Sequence, residues 1–218
     1  MLTQDELVAL YRRRARRYDF TANLYYLLGF REWAYRRKAV RALGLSRGDT
    51  VVEIGCGTGL NFGLLRKRVG KAGKIIGVDL TDAMLEVAKE RGKEQMWSNV
   101  ELIECDAGEY EFPTQVDGII STFALTLSPQ YDEIIRHGVR ALRPGGRWVV
   151  ADLKMPENGI RHMYPLFLPL FRPFGVTLDL ASRHPWESIE KHLGNLSMEH
   201  YFLGFTYIAW GEKNATVN

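Results

Sequence analysis

Between residues 49 and 151 the chain alternates short apolar runs with longer segments that are apolar on one side only. The runs are rich in valine and isoleucine, which is typical of strands buried on both faces. The longer segments repeat their apolar residues at helical spacing. The predicted strands cover 49–54, 74–79, 100–104, 116–121 and 148–151, and the predicted helices cover 61–69, 82–90 and 131–142. Because strands and helices alternate, the pattern predicts an α/β fold built from parallel βαβ units.

The N-terminal part of the chain has a different pattern. A helix is predicted over residues 3–20, where Thr3 and Glu6 have the spacing of a capping box. An unusually aromatic segment over 20–30 follows, and then a second helix over 31–43. These elements precede the first buried strand, so they are expected to lie outside the βαβ core.

The C-terminal part is different again. Residues 156–176 are rich in proline, leucine and aromatic residues, and prolines at four-residue spacing exclude one regular helix throughout. A short helix is predicted over 186–193, followed by two closing strands at 199–202 and 206–210. The chain therefore ends by adding two strands to the sheet.

The first predicted strand runs into a glycine-rich turn at residues 51–59, Val-Val-Glu-Ile-Gly-Cys-Gly-Thr-Gly. Glycine has no Cβ atom, so it allows positive φ angles and lets a ligand approach the backbone closely. The second strand ends in Asp79, whose carboxylate can accept hydrogen bonds from two ribose hydroxyls. The turn thus indicates a site for a nucleotide-like cofactor. NAD, FAD and S-adenosylmethionine (SAM) are all candidates on this feature alone.

Four motifs in order resemble those of class I SAM-dependent methyltransferases. The turn reads Gly-x-Gly-x-Gly after Glu-Ile; the Gly-x-Gly-x-x-Gly of NAD oxidoreductases would need a glycine where Leu60 stands. Asp79 ends the second strand, Asp106-Ala107 follows the third, and Leu142-Arg-Pro-Gly-Gly-Arg-Trp148 precedes the fifth. The resemblance covers about residues 45–155. It implies a Rossmann-like seven-stranded sheet of order 3-2-1-4-5-7-6 with the seventh strand antiparallel, helices on both faces and an N-terminal helical lid.

The same resemblance implies SAM as the cofactor, S-adenosylhomocysteine (SAH) as the product, and no metal. The loop glycines would lie against the methionine part of SAM, and Glu53 would accept from its ammonium group directly or through water. Asp79 would bind the ribose diol, Asp106 the adenine amino group, and Ser121 would begin the segment that faces the sulfonium. The implied cofactor-binding residues are Glu53, Gly55, Gly57, Gly59, Asp79, Leu80 and Met84 (which flank the adenine), Asp106, Ala107 and Ser121.

A narrower resemblance concerns the acceptor. The Arg17-Tyr18-Asp19 sequence, the basic N-terminal helices and the segment before Pro185-Trp186 resemble a bacterial subgroup with lipidic acceptors. This subgroup includes phosphatidylethanolamine N-methyltransferases, betaine-lipid N-methyltransferases and quinone C-methyltransferases. The resemblance predicts N-methylation of phosphatidylethanolamine towards phosphatidylcholine at the membrane surface. The alternatives are C- or O-methylation of a quinone or other small hydrophobic acceptor, and a SAM-binding module without catalysis.

Candidate acceptor residues lie on the two flanks of the cofactor-binding core. Tyr18, Tyr25 and Tyr26 are predicted catalytic residues that position the amine through hydroxyl and cation–π contacts. The predicted substrate-binding residues are Tyr18, Tyr26, His162, Tyr164 and Arg183. No residue is assigned as a general base. Residues 121–124 read Ser-Thr-Phe-Ala, where relatives that methylate DNA or protein amides have an Asn-Pro-Pro-Tyr-type motif, and this argues against a planar nitrogen acceptor.

Charge is distributed unevenly along the chain. The net charge is +3, but residues 1–47 contain eleven Lys or Arg and four Asp or Glu. The arginines at 12, 13, 14, 16 and 17 predict either a solvated helix or a basic helix that meets anionic lipid head groups. No signal peptide is recognisable and no run approaches the ~18 apolar residues of a spanning helix. We expect a monomeric cytoplasmic protein, peripherally bound to the inner face of the membrane, with no nucleic-acid partner.

The predicted organisation is a single domain over residues 1–218. Residues 1–44 form the helical lid, 45–155 the SAM-binding core, 156–196 an insertion that faces the acceptor or the membrane, and 197–212 the closing strands. The composition, 46% hydrophobic and 25% charged, is ordinary for a globular protein. The two cysteines lack metal-site spacing and are expected to be free thiols.

Overall fold

The computed structural model describes residues 3–24, 29–156 and 182–214 of the chain. The strands are β1 Thr50–Ile54, β2 Lys74–Asp79, β3 Val100–Glu104, β4 Val116–Thr122, β5 Leu142–Leu153, β6 Ser197–Tyr201 and β7 Thr206–Glu212. They form one sheet in the order β3-β2-β1-β4-β5-β7-β6. Neighbouring strands from β3 to β5 are parallel, and β7 is antiparallel to both β5 and β6. The predicted fold class and strand order are confirmed.

Helices cover both faces of the sheet. They are α1 Gln4–Leu24, α2 Glu32–Ala42, α3 Phe62–Val69, α4 Asp82–Glu94, α5 Tyr131–Ala141 and α6 Pro185–Leu193. On one face, Ile134 of α5 and Ile189 of α6 pack with the buried Trp148 of β5. On the other face, α2, α3 and α4 contribute a second buried cluster that includes Phe62 and Leu65. The central strands β1, β2 and β4 are buried along most of their length because both of their faces are covered, while β3 and β6 at the edges of the sheet carry exposed polar side chains.

The strand boundaries follow the sequence pattern closely because a buried strand needs an unbroken apolar run. Two of the predicted parallel strands, 74–79 and 100–104, are observed with the same ends. The largest difference is β5, which is twelve residues long and includes Pro144-Gly145-Gly146. The register shifts between Val116 and Gly118 of β4, and the amide of Gly145 donates to the Lys213 carbonyl at 2.7 Å. The predicted turn is therefore a bulge whose amide is satisfied from the end of β7.

The N-terminal helix is longer than predicted. The capping box is present: the Thr3 amide donates to Glu6 Oε2 at 2.8 Å, and the Glu6 amide donates to Thr3 Oγ1 at 3.2 Å. The helix then continues to Leu24 and does not stop at residue 20. No proline or glycine occurs between residues 4 and 28, so nothing in the sequence ends the helix earlier.

Gly59 has a packing role that fixes where α3 lies. Its φ is +74°, and a Cβ atom added there would be 2.5 Å from Phe62 Cδ2. Phe62 is fully buried, so its ring has no room to move away. The first turn of α3 can approach the glycine turn this closely only because residue 59 has no side chain.

We expect Gly59→Ala to lower the free energy of unfolding by roughly 2–4 kcal/mol, because it combines a positive φ with a steric overlap. Gly92→Ala is the matched control: Gly92 lies in α4 and an added Cβ meets nothing within 4 Å. Alanine at that helical position should increase stability by up to about 1 kcal/mol. Urea unfolding of both variants measures the difference. Equal stabilities would contradict the packing role of Gly59.

Candidate cofactor and active site

A cavity of about 390 Å³ lies at the carboxyl ends of the central parallel strands. Its walls are formed by the loops that follow β1, β2, β3 and β4, together with residues of α1 and α2. The order of the strands reverses between β1 and β4, and ligands of open α/β sheets bind at this point. The cavity is therefore the candidate functional site.

The glycine turn forms the floor of the cavity and is tied to β2. The amides of Gly55 and Cys56 both donate to the Val78 carbonyl, at 2.8 and 3.0 Å. Gly55 has a φ of +66°, and a Cβ atom added there would lie 2.3 Å from the Cβ of Ala124. The turn is thus held between β2 and the loop after β4, where a side chain at residue 55 has no space.

Asp79 connects the glycine turn to α4. Its Oδ2 accepts from the Gly57 amide at 2.8 Å, and its Oδ1 accepts from the Thr81 amide at 2.9 Å. Burial raises the pKa of this carboxyl group, and the backbone N–H donors oppose that effect. Thr81, at the N-cap position of α4, makes no side-chain capping hydrogen bond and gives its amide to Asp79. Asp79 is held rigidly at the cavity wall.

The wall beside Asp79 is mostly apolar. Leu80 and Met84 line it from α4 and the turn before it, and Asp106 and Ala107 line it from the loop after β3. Asp106 Oδ1 accepts from the Gly108 amide at 2.8 Å, which fixes the carboxylate at the edge of the apolar wall. This combination of an apolar slot and a carboxylate at its rim suits a flat ring with an exocyclic amino group.

A buried polar network lies behind the glycine turn. Glu53 is fully buried, and its Oε1 accepts from Asn61 Nδ2 at 2.7 Å. Asn61 Nδ2 also approaches Thr122 Oγ1 at 2.9 Å, and Arg36 Nη1 donates to the same hydroxyl at 2.5 Å. Arg36 is paired in turn with Glu32 at 2.7 Å. The network reaches the cavity through Arg36 and Thr122, which line it.

Glu53 has one oxygen that this network does not satisfy. Its Oε2 is buried and has no hydrogen-bond partner within the described residues. Burial raises the pKa of Glu53 to about 8, although Arg36 and the Asn61 amide act in the opposite direction. A buried, unsatisfied carboxylate oxygen behind a glycine-rich turn fits a cofactor that carries an ammonium group. The residues present therefore fit SAM, which the sequence motifs imply.

Comparisons with known proteins agree with this geometry. Residues 51–146 match the model of the family described as a methyltransferase domain. The chain is 27% identical over 194 residues to the demethylmenaquinone methyltransferase of Staphylococcus aureus strain JH9, covering 88% of this chain and 79% of that protein. Residues 51–146 therefore form a methyltransferase domain, and the motifs, the cavity and this relative support a SAM-dependent methyltransferase.

Solved structures show the same fold. A SAM dependent methyltransferase from Aquifex aeolicus aligns with a TM-score of 0.59 at 18% identity, over 80% of this chain and 87% of that chain. The Haemonchus contortus phosphoethanolamine N-methyltransferase 2, in complex with S-adenosyl-L-methionine, aligns with a TM-score of 0.65 at 18% identity, over 84% of this chain and 53% of that chain. At this identity the likeness concerns the fold alone.

Eight of the sixteen predicted site residues lie together in this cavity. Those that line it are Tyr18, Gly55, Gly57, Asp79, Leu80, Met84, Asp106 and Ala107. Four predicted site residues lie behind or away from its wall, namely Glu53, Gly59, Ser121 and Arg183. Four more, Tyr25, Tyr26, His162 and Tyr164, lie outside the described residues.

The residues that do not line the cavity have other roles. Gly59 allows α3 to pack, as described above. Ser121 is fully buried in β4, and its hydroxyl has no hydrogen-bond partner among the described residues. The side chain of the next residue, Thr122, lines the cavity instead. Arg183 is buried and donates to the carbonyl of Thr126, so it supports the loop after β4 from behind.

Sequence reasoning missed several residues of the wall, above all Tyr11, Arg36 and Thr58. A signal was available, because Arg36 lies four residues after Glu32 and three before the buried Ala39, on the inner side of α2. Phe123 has a φ of +56°, which no sequence pattern reveals.

We expect the affinity for SAM to increase between about pH 6 and pH 7.5, with release of a proton on binding. Glu53, with its pKa of about 8, is mostly protonated in the free protein, and a nearby ammonium group favours its ionised form. Calorimetric titration in buffers of different ionisation enthalpy measures the released proton. Glu53→Gln should lose this proton release and bind SAM more weakly. The amino group of SAM is present in both titrations, so the difference in proton release between the two proteins reports residue 53 alone.

The same titration has an effect on stability. Because the pKa of Glu53 is about 8 when folded against an ordinary value of 4.5, the unfolded chain loses the proton first. The free energy of unfolding therefore decreases as the pH rises from 4.5 to about 8. Glu53→Gln has no carboxyl group at this position, so the contribution of residue 53 to this decrease should disappear. Identical pH profiles for the two proteins would show that Glu53 does not titrate there.

Proposed function

We propose that this methyltransferase acts on a small hydrophobic acceptor, and that the acceptor is an aromatic ring of the quinol type. The observation that carries the proposal is the wall formed by α1, α2 and the loop after β4. Tyr11, Tyr18 and Phe123 line it together with Leu125 and the guanidinium-bearing Arg36. Aromatic rings stack on such a surface, while apolar side chains exclude water.

The similarity to the Staphylococcus aureus relative supports the same acceptor class. That protein is named for demethylmenaquinone, and the match extends over 88% of this chain, well beyond the 51–146 segment that matches the family model. It favours the quinone alternative of the sequence analysis over phosphatidylethanolamine as the acceptor.

The wall is suited to a phenolic nucleophile. Arg36 Cζ lies 5.4 Å from the centre of the Phe123 ring, so a ring stacked near Phe123 would be close to a permanent positive charge. A guanidinium lowers the pKa of a nearby phenol and favours the phenolate, whose ring carbons and oxygen are better nucleophiles. SAM supplies the electrophilic methyl group when bound. The wall residues align the acceptor and exclude water, and for C-methylation the displaced ring proton leaves to solvent.

A second candidate, methylation of a phospholipid amine, has an observation of its own. The outer side of α1 carries the exposed Arg12, Arg13, Arg16 and Arg17, a surface that complements anionic lipid. Tyr18 at the cavity would then hold the amine through its hydroxyl group and ring. The two candidates share a lipidic acceptor and differ in the atom that is methylated.

We expect methyl transfer from labelled SAM to a prenylated demethylquinol in detergent, and much less to phosphatidylethanolamine vesicles. Phe123→Ala should lower kcat/KM for the quinol by about tenfold or more, with the SAM dissociation constant unchanged, because only the acceptor wall is altered. Trp33→Ala, on the exposed side of α2, is the aromatic control and should leave both values unchanged. Transfer to the amine lipid alone would select the second candidate.

We also propose that the protein is cytoplasmic and binds peripherally to the inner face of the membrane through α1. In the described part of the chain no helix is long and apolar enough to cross a membrane. Peripheral binding would instead use the exposed arginines of α1, each worth about 1 kcal/mol near an anionic surface.

Flotation with vesicles that contain an anionic phospholipid tests this binding. We expect association at low salt that declines at high salt, and about fivefold weaker partitioning for each of Arg13→Gln and Arg16→Gln. Arg37→Gln, an exposed arginine of α2, is the control for net charge. Absence of binding at every salt concentration would remove the membrane role while leaving the methyltransferase activity in place.

A further inference from the structure

One side of α1 covers the cofactor cavity. Leu7, Val8, Tyr11 and Tyr18 line the cavity, and Ala15 between them is 3% exposed. These positions recur at helical spacing, so they lie on one side of the helix. The cavity is therefore roofed by a helix that belongs to the N-terminal part of the chain and not to the sheet.

Asp19 joins this roof to two parts of the cofactor site. Its Oδ1 accepts a hydrogen bond from Thr58 Oγ1 at 2.6 Å, and its Oδ2 forms an ion pair with Arg91 of α4. The side chains of Asp19 and Arg91 are 31% and 24% exposed, so the pair is partly shielded from water. Charge-assisted hydrogen bonds of this kind are stronger than those between neutral groups.

Thr58 belongs to the glycine turn itself. It stands between Gly57 and Gly59, is 1% exposed and lines the cavity. Its neighbour Gly57 is held by Asp79 through the backbone amide at 2.8 Å. Two carboxylates, one from α1 and one from β2, thus hold adjacent residues of the turn. Only Asp79 was identified from the sequence as a site residue.

We propose that Asp19 is a positioning residue that makes the closing of α1 and the binding of the cofactor a single coupled event. Its carboxylate fixes Thr58 in the glycine turn and holds α1 against α4. Release of α1 requires both contacts of Asp19 to break, and the same step frees the turn that carries the cofactor. Asp19 itself does not line the cavity, so it acts through Thr58 and through the position of α1.

A second ion pair between α1 and α4 provides a matched control for the Asp19 pair. Arg12 of α1 also pairs with α4, through Asp82 at 2.7 Å, but this pair does not involve the glycine turn. The side chains of Arg12 and Asp82 are 54% and 46% exposed, and surface pairs of this kind contribute little. Loss of Arg12 therefore removes a contact between the same two helices without changing Thr58.

The experiment measures the rate at which SAH dissociates from the full chain, by stopped-flow displacement with excess SAM. We expect Asp19→Asn to release SAH about tenfold faster, and Thr58→Val to do the same, because each removes one side of the coupling. Thr58→Ser keeps the hydroxyl group and should retain the wild-type rate. Arg12→Gln should change the rate by less than about twofold.

Two further measurements separate positioning from general stability. In the wild type, SAM should slow amide hydrogen exchange in residues 4–19, and Asp19→Asn should lose that protection while its midpoint of thermal unfolding stays close to the wild-type value. The combined Asp19→Asn and Thr58→Val variant should be no faster than either single variant, since both break one link. If Asp19→Asn lowers thermal stability but leaves SAH dissociation and the protection of α1 unchanged, the proposal is wrong.

The proposal does not depend on the acceptor, because every measurement uses SAM or SAH alone. Failure of quinol methylation would overturn the proposed acceptor and leave the coupling intact. Wild-type SAH dissociation in both the Asp19→Asn and Thr58→Val variants would overturn the coupling and leave the acceptor assignment intact.

Discussion

The site depends on the hydrogen bonds that hold the glycine turn against β2. The amides of Gly55 and Cys56 share the Val78 carbonyl, and the amide of Gly57 goes to Asp79. A strand that must turn into a helix within a few residues leaves these N–H groups without partners in its own ladder, and burial makes unpaired N–H groups costly. Their pairing with β2 determines the position of the turn, of Asp79 and of the start of α3 relative to one another.

The same turn has a second support, which is electrostatic. Behind it, Glu53, Asn61, Thr122, Arg36 and Glu32 form one buried chain of hydrogen bonds. Burying ionisable groups is expensive, and an apolar core of the same volume would be at least as stable. The network is therefore better explained by function than by stability. The positive φ of Phe123, at the end of β4, is a second local cost at the same place.

The roof of the cavity and part of the proposed acceptor wall come from helices that lie before the sheet in the chain. Tyr11 and Tyr18 reach the cavity from α1, and Arg36 reaches it from α2. Because these helices contribute side chains to a site whose floor is built by the core, acceptor specificity can change without alteration of the glycine turn. This division explains why a common methyltransferase core is compatible with different acceptors.

Much of the fold and the cofactor half of the site followed from the sequence alone. Buried parallel strands need continuous apolar runs, and a turn without room for Cβ atoms needs glycine, so both leave a local signal that includes Gly55, Gly57 and Asp79. The roles of Asp19, Thr58 and Arg36 leave no such signal, since each depends on a partner distant in the chain. Asp19 meets Thr58 and Arg91 only after α1 has packed across the sheet. The local sequence indicated which cofactor this protein binds, whereas the tertiary packing of α1 and α2 decided what covers the cofactor site, because those contacts join residues that are far apart in the sequence.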